Sequence, residues 1–265
     1  TETFTLSATT PQNDPLAPPT GTGSILDPST PVLSISGPVD VNEAAGTLTY
    51  TVTMSNPSAT SVSVNVAAAS GSATSGTDFS ALNQTLTFAP GETSKTVTVA
   101  ITDDTVFEGA ESFTVNLSAA TGGASVGTPT VTTTIHDDGT GTIPPGNPGP
   151  VTDDRPQVGS ISSPSANEGS ALDFTVSLTH PSTTPTVVTL TPTSGTATVG
   201  TDTSPLLVSF DNGVTFTPVT GSTVTVPAGS TSFIVRAPTV NDGVSEPTET
   251  FTLSATTPQN DPLAP

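Results

Sequence analysis

The residues of this sequence most able to do chemistry are its carboxylates. In the first half they stand at definite places: Glu43 after an apolar-alternating segment, Asp78 in a Gly-Thr-Asp turn, Asp103, Asp104, Glu108 and Glu111 in the run DDTVFEGAE, and Asp137 and Asp138 closing another alternating segment. Two such groups ~4 Å apart repel by about 4 kcal/mol at an effective dielectric near 20. Lys95 is the one basic residue in this region, so ion pairs cannot offset the repulsion. Solvent screening, protonation or a bound cation must. Hard oxygen donors with no His or Cys in the motif select Ca²⁺ over transition metals, and flexible spacing suits six to eight ligands better than the octahedron of Mg²⁺. The competing reading is a solvated acidic surface, and the return of the acids at homologous positions in a second copy argues against it. Paired carboxylates also serve glycosidases. Here the acids are adjacent on a turn, with no aromatic platform for a sugar, and the usual triad and phosphate-loop patterns are missing. No enzyme is expected. His136 and His180 stand alone at strand ends and read as structural.

The elements that must position these acids are strands. Leu48, Tyr50, Val52 and Met54 alternate with Thr47, Thr49, Thr51 and Thr53, which puts one apolar face on a pleated segment. Leu33/Ile35, Val62/Val64/Val66, Leu86/Phe88, Val97/Val99/Ile101, Phe113/Val115/Leu117 and Val131/Thr133/Ile135 repeat the pattern. Seven half-buried strands separated by Gly, Pro, Asn and Asp turns predict an all-β, immunoglobulin-like antiparallel sandwich. In that fold the first turn, the loop before the sixth strand and the exit of the seventh share one pole, so the acids should converge there.

The chain also repeats. Residues 1–18, TETFTLSATTPQNDPLAP, recur unchanged at 248–265, which reads as a tandem array with a unit of 247 residues. Inside that unit 91–115 aligns with 229–253, and NEAAGTLTYTVTMSNPS with NEGSALDFTVSLTHPS, so it holds two divergent copies of one domain. The second carries extra residues between Thr203 and Ala228, including an expected hairpin turning at Asn212-Gly213. The expected organisation is 1–30 as the closing strands of a preceding repeat, 31–138 as the first sandwich, 139–155 as a Gly/Pro-rich linker, and 156–265 as a second sandwich without its last strand. That strand's homologue is TGTGSILD at 20–27. The second sandwich should therefore present an open edge, and the N-terminal segment of another molecule could complete it head to tail.

Composition narrows the function further. There are 23 Asp and Glu against 3 Lys and Arg, a formal charge of −20, and no Cys. Without a basic face, nucleic-acid binding is not expected; no segment is apolar enough for a membrane helix; disulfide and thiolate metal sites are excluded. The 56 Thr favour strands.

The segments VNEAAG, SGTDF, LTFAPGE, DDTVFEGAESFTVNL and the closing Asp137-Asp138 resemble the Calx-beta domain, closely over 31–138 and more loosely over 156–265. The resemblance implies calcium ligation by Glu43, Asp78, Asp103, Asp104, Glu108, Glu111, Asp137 and Asp138, with the Val106 carbonyl as a backbone ligand. Its counterparts in the second copy are Glu168, Asp202, Asp242, Val244, Glu246 and Glu249, with Asn241 in place of an Asp and Asp27 as the closing acid. Fewer charges predict weaker or fewer ions there. The arrangement is similar to the extender region of giant RTX-type secreted bacterial adhesins. That similarity implies an extracellular, cell-surface role in which neighbouring repeats of one chain are stiffened by Ca²⁺. The alternative is repeats that themselves bind a surface polysaccharide or protein.

Overall fold

The structure, a computed structural model, describes residues 2–8, 20–25, 29–137, 154–243, 245 and 247–258. Asp27, Asp138, Val244 and Glu246 lie outside them. The chain opens with a hairpin of β1 (Glu2–Ser7) and β2 (Thr20–Ile25), paired from Glu2↔Ile25 to Ser7↔Thr20.

The first sandwich comprises β3 (Val32–Ser36), β4 (Asp40–Asn42), β5 (Thr47–Met54), β6 (Val62–Ser70), β7 (Asn83–Phe88), β8 (Ser94–Ala100), β9 (Glu111–Ser118), β10 (Ser125–Thr128) and β11 (Thr130–His136). The order is β10-β3-β5-β8 in one sheet and β4-β11-β9-β6-β7 in the other. The alternating apolar residues meet between the sheets: Val52, Val62, Val64, Val66, Val99 and Val115 are fully buried. Phe79 and Phe113 stack there with centroids 4.3 Å apart.

Nine strands form where seven were expected, because the first and last strands each split and change sheet. Gly37-Pro38 breaks the first into β3 and β4, and Pro129 breaks the last into β10 and β11. The halves pair in parallel, β10 with β3 and β4 with β11. Gly37 is required at its break: a Cβ there would lie 2.3 Å from the Tyr50 ring. The buried Tyr50 hydroxyl in turn hydrogen-bonds Thr133 Oγ1 across the sandwich, and that Thr donates to the Pro38 carbonyl. One aromatic residue thus fastens the switch point to the last strand.

The second sandwich has β12 (Val158–Ile161), β13 (Ala171–Leu178), β14 (Thr186–Ser194), β15 (Leu207–Ser209), β16 (Thr217–Pro218), β17 (Thr223–Val226), β18 (Ser232–Pro238) and β19 (Phe251–Thr256). Its sheets run β12-β13-β18-β15-β16 and β17-β14-β19. The extra residues build β15 and β16, which widen the first of these sheets by pairing onto β18. Their connection is longer than a two-residue turn. Asn212 and Gly213 do take positive φ, 57° and 84°, but Asp211 organises the whole loop, accepting from Ser209 Oγ, Thr215 N and Thr215 Oγ1. Those donors hold its carboxyl at about 2, below the usual range. Phe216 stacks on Arg236, 3.6 Å from guanidinium carbon to ring centroid, and Arg236 makes a bidentate ion pair with Asp173.

Among the described residues β19 pairs with β14 alone, whereas its counterpart β9 lies between β6 and β11. The two sandwiches touch through backbone. Phe107 N–H donates to the Pro181 carbonyl (3.0 Å), and Thr183 N–H donates to the Phe107 carbonyl (2.9 Å).

Candidate metal centre

The first pole is built from three kinds of local structure. Asn42 ends β4 and caps a short 3₁₀ turn, Glu43–Ala45, its side chain accepting from Ala44 N–H. A carboxylate in the first turn of a helix is electrostatically favoured, and here the turn also carries Glu43 inward, leaving it 8% exposed. Asp78 sits in a turn that its own carboxylate closes by accepting from Thr74 N–H at 2.6 Å. The loop between β8 and β9 is pinned by its acids: Asp104 Oδ1 accepts from Val106 N–H, Asp104 N–H donates to Glu43, and Glu108 N–H donates to Asp137. Asp137 follows directly on β11 and is 2% exposed.

Two carboxylate groups result. Glu43, Asp137 and Asp154 offer oxygens all within 4.8 Å of one another and are all buried; Asp78, Glu108 and Glu111 do the same and are half-buried. Glu43, Asp78, Glu108, Glu111 and Asp137 together line a cavity of about 10 Å³, roughly the room that one water-sized occupant needs. Asp103 and Asp104 stay exposed on the rim instead of joining either group. Val106 lies in the pinned loop, next to the Phe107 backbone that grips the second sandwich.

The electrostatics are those of a site short of positive charge. Burial first, then Asp137, Asp104 and Asp103, push Glu43 up to about 8, although the Asp104 N–H acts the other way. Burial, a hydrogen bond shared with Asp78 and the neighbouring charges push Glu111 up to about 7. Glu108 is raised by burial and by Asp78 and Asp104. Such groups either hold protons or face a cation. All-oxygen donors in a cavity of this size fit a hard divalent ion, and several carboxylates on separate loops fit Ca²⁺ better than Mg²⁺.

Asp154 is the residue whose part in a site the sequence left open. It was expected in the Gly/Pro-rich linker, yet it is 1% exposed against Glu43 and Asp137, with His180 Nε2 at 3.9 Å. The signal was the pair Asp153-Asp154 itself, an acidic doublet at the end of a spacer whose one other charged residue is Arg155. His136 contacts Asp40 across β11 and β4.

The second pole keeps one piece of the same local structure. Asp202 accepts from Thr198 N–H at 2.6 Å as Asp78 does from Thr74. Its other motif residues are not gathered: Glu168, Asn241 and Asp242 are exposed, Glu249 is half-buried, and among the described residues no metal-sized group forms. Glu168, Asp202, Asp242 and Glu249 instead border an open cleft of about 320 Å³.

No curated protein sequence matches the chain. Among solved structures it is similar to the apo-form Calx CBD1 domain, with 28% identity over 42% of this chain and 99% of that one, and a TM-score of 0.40. It is also similar to CBD12 from CALX1.2, with 18% identity over 79% of this chain and 76% of that one and a TM-score of 0.40. The calcium binding domain CBD12 of CALX1.1 matches at 18% identity over 84% and 79%, with a TM-score of 0.39. The model of the Calx-beta domain matches twice, at residues 30–139 and 153–264. With two copies spanning most of its length, the chain belongs to the Calx-beta domain family.

Proposed function

We propose that this chain is a calcium-binding structural repeat, an extender of a long secreted cell-surface adhesin, in which Ca²⁺ holds successive sandwiches in a stiff line. The observation that carries the reading is the buried group Glu43, Asp137 and Asp154, because its members come from both sides of the junction. Glu43 and Asp137 belong to the first sandwich, and Asp154 leads directly into the second.

Each residue has a definite task. Glu43 and Asp137 supply buried oxygens and fix the β8–β9 loop by accepting the Asp104 and Glu108 N–H groups. Asp78, Glu108 and Glu111 supply the adjoining half-buried set. Asp154 ties the start of the second sandwich to the pole of the first, beside the backbone clamp at Phe107. A bound Ca²⁺ would neutralise carboxylates that otherwise repel or protonate. A ligand specific to the folded state stabilises it by RT ln(1+[L]/Kd), about 2.7 kcal/mol at a hundredfold excess. The lack of Cys fits a protein stapled by ions met outside the cell. Internal repetition fits a length-giving role, since length grows by duplication.

Calcium titration against EDTA tests the reading by calorimetry, with melting and small-angle scattering on the same samples. Saturable binding, a higher melting temperature and a longer maximum dimension are expected. No binding and no change in either property would leave the acids as solvating charge.

A further inference from the structure

We propose that the second sandwich binds a small uncharged aromatic molecule, whose ring takes the place that the Phe79 side chain fills in the first. The two copies put the same backbone at this place. Phe79 bridges Ile101 as Thr203 bridges Thr239, and Ser80 N–H donates to the Ala100 carbonyl as Ser204 N–H donates to the Pro238 carbonyl. SGSATSGTDFS at 70–80 aligns with SGTATVGTDTS at 194–204, so Thr203 stands where Phe79 does. Phe79 is fully buried and stacks on Phe113. Phe251, the counterpart of Phe113, meets no ring from Thr203; it leans edge-on against Phe174 at 5.7 Å and is only half-buried.

The missing ring leaves room. A cavity of about 470 Å³ is bounded by Leu190, Pro192, Thr203, Leu206, Val219 and Phe251. In the first sandwich the residues at the corresponding positions, Val66, Ala68, Phe79, Leu82 and Phe113, pack together in the core. Two further differences keep the space open. Ala68 N–H donates to the Leu82 carbonyl, whereas Pro192 has no N–H to give. β7 aligns six residue pairs with β6, and β17 aligns four with β14. The walls come from β14, the segment 199–206, the turn 219–222 and Phe251, on the β17 side of β14. They owe nothing to what pairs with the far edge of β19.

The lining selects the ligand. None of the residues around the cavity is charged. Val199 lines it from a turn in which the first copy has Ser75, and both turns are held alike, by Val199 N–H on Ser194 Oγ and Ser75 N–H on Ser70 Oγ. An apolar cavity of ~150 Å³ already admits one benzene ring, so a ring with a short substituent fits here. Contact with Phe251 rewards an aromatic ring as Phe113 rewards Phe79. Asp202 beside Thr203, in a chain of formal charge −20, disfavours an anion. Ser204 and Ser222 offer hydroxyls to a neutral polar substituent.

Amide spectra of the full chain, titrated with benzyl alcohol, should show saturable shifts around Leu190, Thr203 and Val219 and none around Phe79. Benzoate at the same concentration should leave them unmoved. Thr203→Phe should fill the cavity, weaken binding about tenfold or more, and raise the melting temperature of the second sandwich. Val199→Ser copies the first sandwich and so keeps the turn; it should weaken binding severalfold, and it carries the test if Thr203→Phe fails to fold. Shifts that do not saturate, equal binding of benzoate, or undiminished binding by either variant would each overturn the proposal. So would uptake of the ring only when a Phe-bearing peptide carries it.

Discussion

The two sandwiches carry nearly the same acidic motif and make different use of it. At the first pole Glu43 is buried beside Asp137; at the second, its counterpart Glu168 stands in solvent. The acids themselves are not the cause, since Asp202 keeps the turn geometry of Asp78. The difference lies in the last strand. β11 pairs with β4, β4 leads into the 3₁₀ turn, and the turn carries Glu43 inward. Among the described residues of the second sandwich no strand stands beside β19 in the place of β11, residues 165–167 form none of the β4 type, and Glu168 is exposed. In this chain the motif acids gather into a buried group where a strand far away in sequence draws their loops together.

That contrast can be broken most severely at the first pole. Glu43→Ala/Asp137→Ala should abolish the calcium-dependent rise in the first sandwich's melting temperature, a loss of about 3 kcal/mol at a hundredfold excess of ion. Glu168→Ala should change the calcium response little. Calorimetric scans that resolve the two transitions give the comparison directly, and equal losses in both would break it.

A smaller effect comes from pH. In the metal-free protein Glu43 keeps its proton up to about 8 and Glu111 to about 7, against an ordinary 4.5. Between those values the unfolded chain has released protons that the folded one retains, so stability falls as pH rises through the window and levels off above it. The first sandwich should lose roughly 2 kcal/mol from pH 5 to 8 without calcium, after discounting for solvent at the rim. Added calcium should remove the slope and release protons in buffers of different ionisation enthalpy. A flat metal-free profile would contradict the burial of Glu43.

Asp154→Asn sharpens the contrast at the junction. Affinity at the first pole should drop about tenfold, equivalent to about 1.4 kcal/mol, and the calcium-dependent gain in maximum dimension should shrink. A variant that binds as tightly and stiffens as fully would take Asp154 out of the centre. The smallest effect belongs to the second sandwich alone. Arg236→Ala removes a stacked, bidentate pair that is partly exposed, so about 1 kcal/mol should be lost from the second transition and none from the first.

Much of this architecture was legible in side-chain alternation. Leu48, Tyr50, Val52 and Met54 are all buried, as their period-2 spacing required. The splits at Gly37-Pro38 and Pro129 were not legible, because β4 and β10 are too short to show a period and exist by pairing with strands distant in sequence. The site divided the same way. The spacing of DDTVFEGAE marked a carboxylate loop, but it could not separate Glu108 and Glu111, which join a group, from Asp103 and Asp104, which stay on the rim. Whether Asp154 joins a site was undecided for a related reason: its burial depends on how the second sandwich meets the first, and composition read its surroundings as a spacer.

The Phe107 clamp also has a mechanical meaning. Two backbone hydrogen bonds join the sandwiches there, while the ladder between β9 and β11 aligns six residue pairs. If the metal-free chain is pulled along its length, this clamp should give way before either sandwich unravels, and it can reform once the load drops. The joint then acts as a fuse: it lets the chain lengthen under a sudden tug while both hydrophobic cores stay dry.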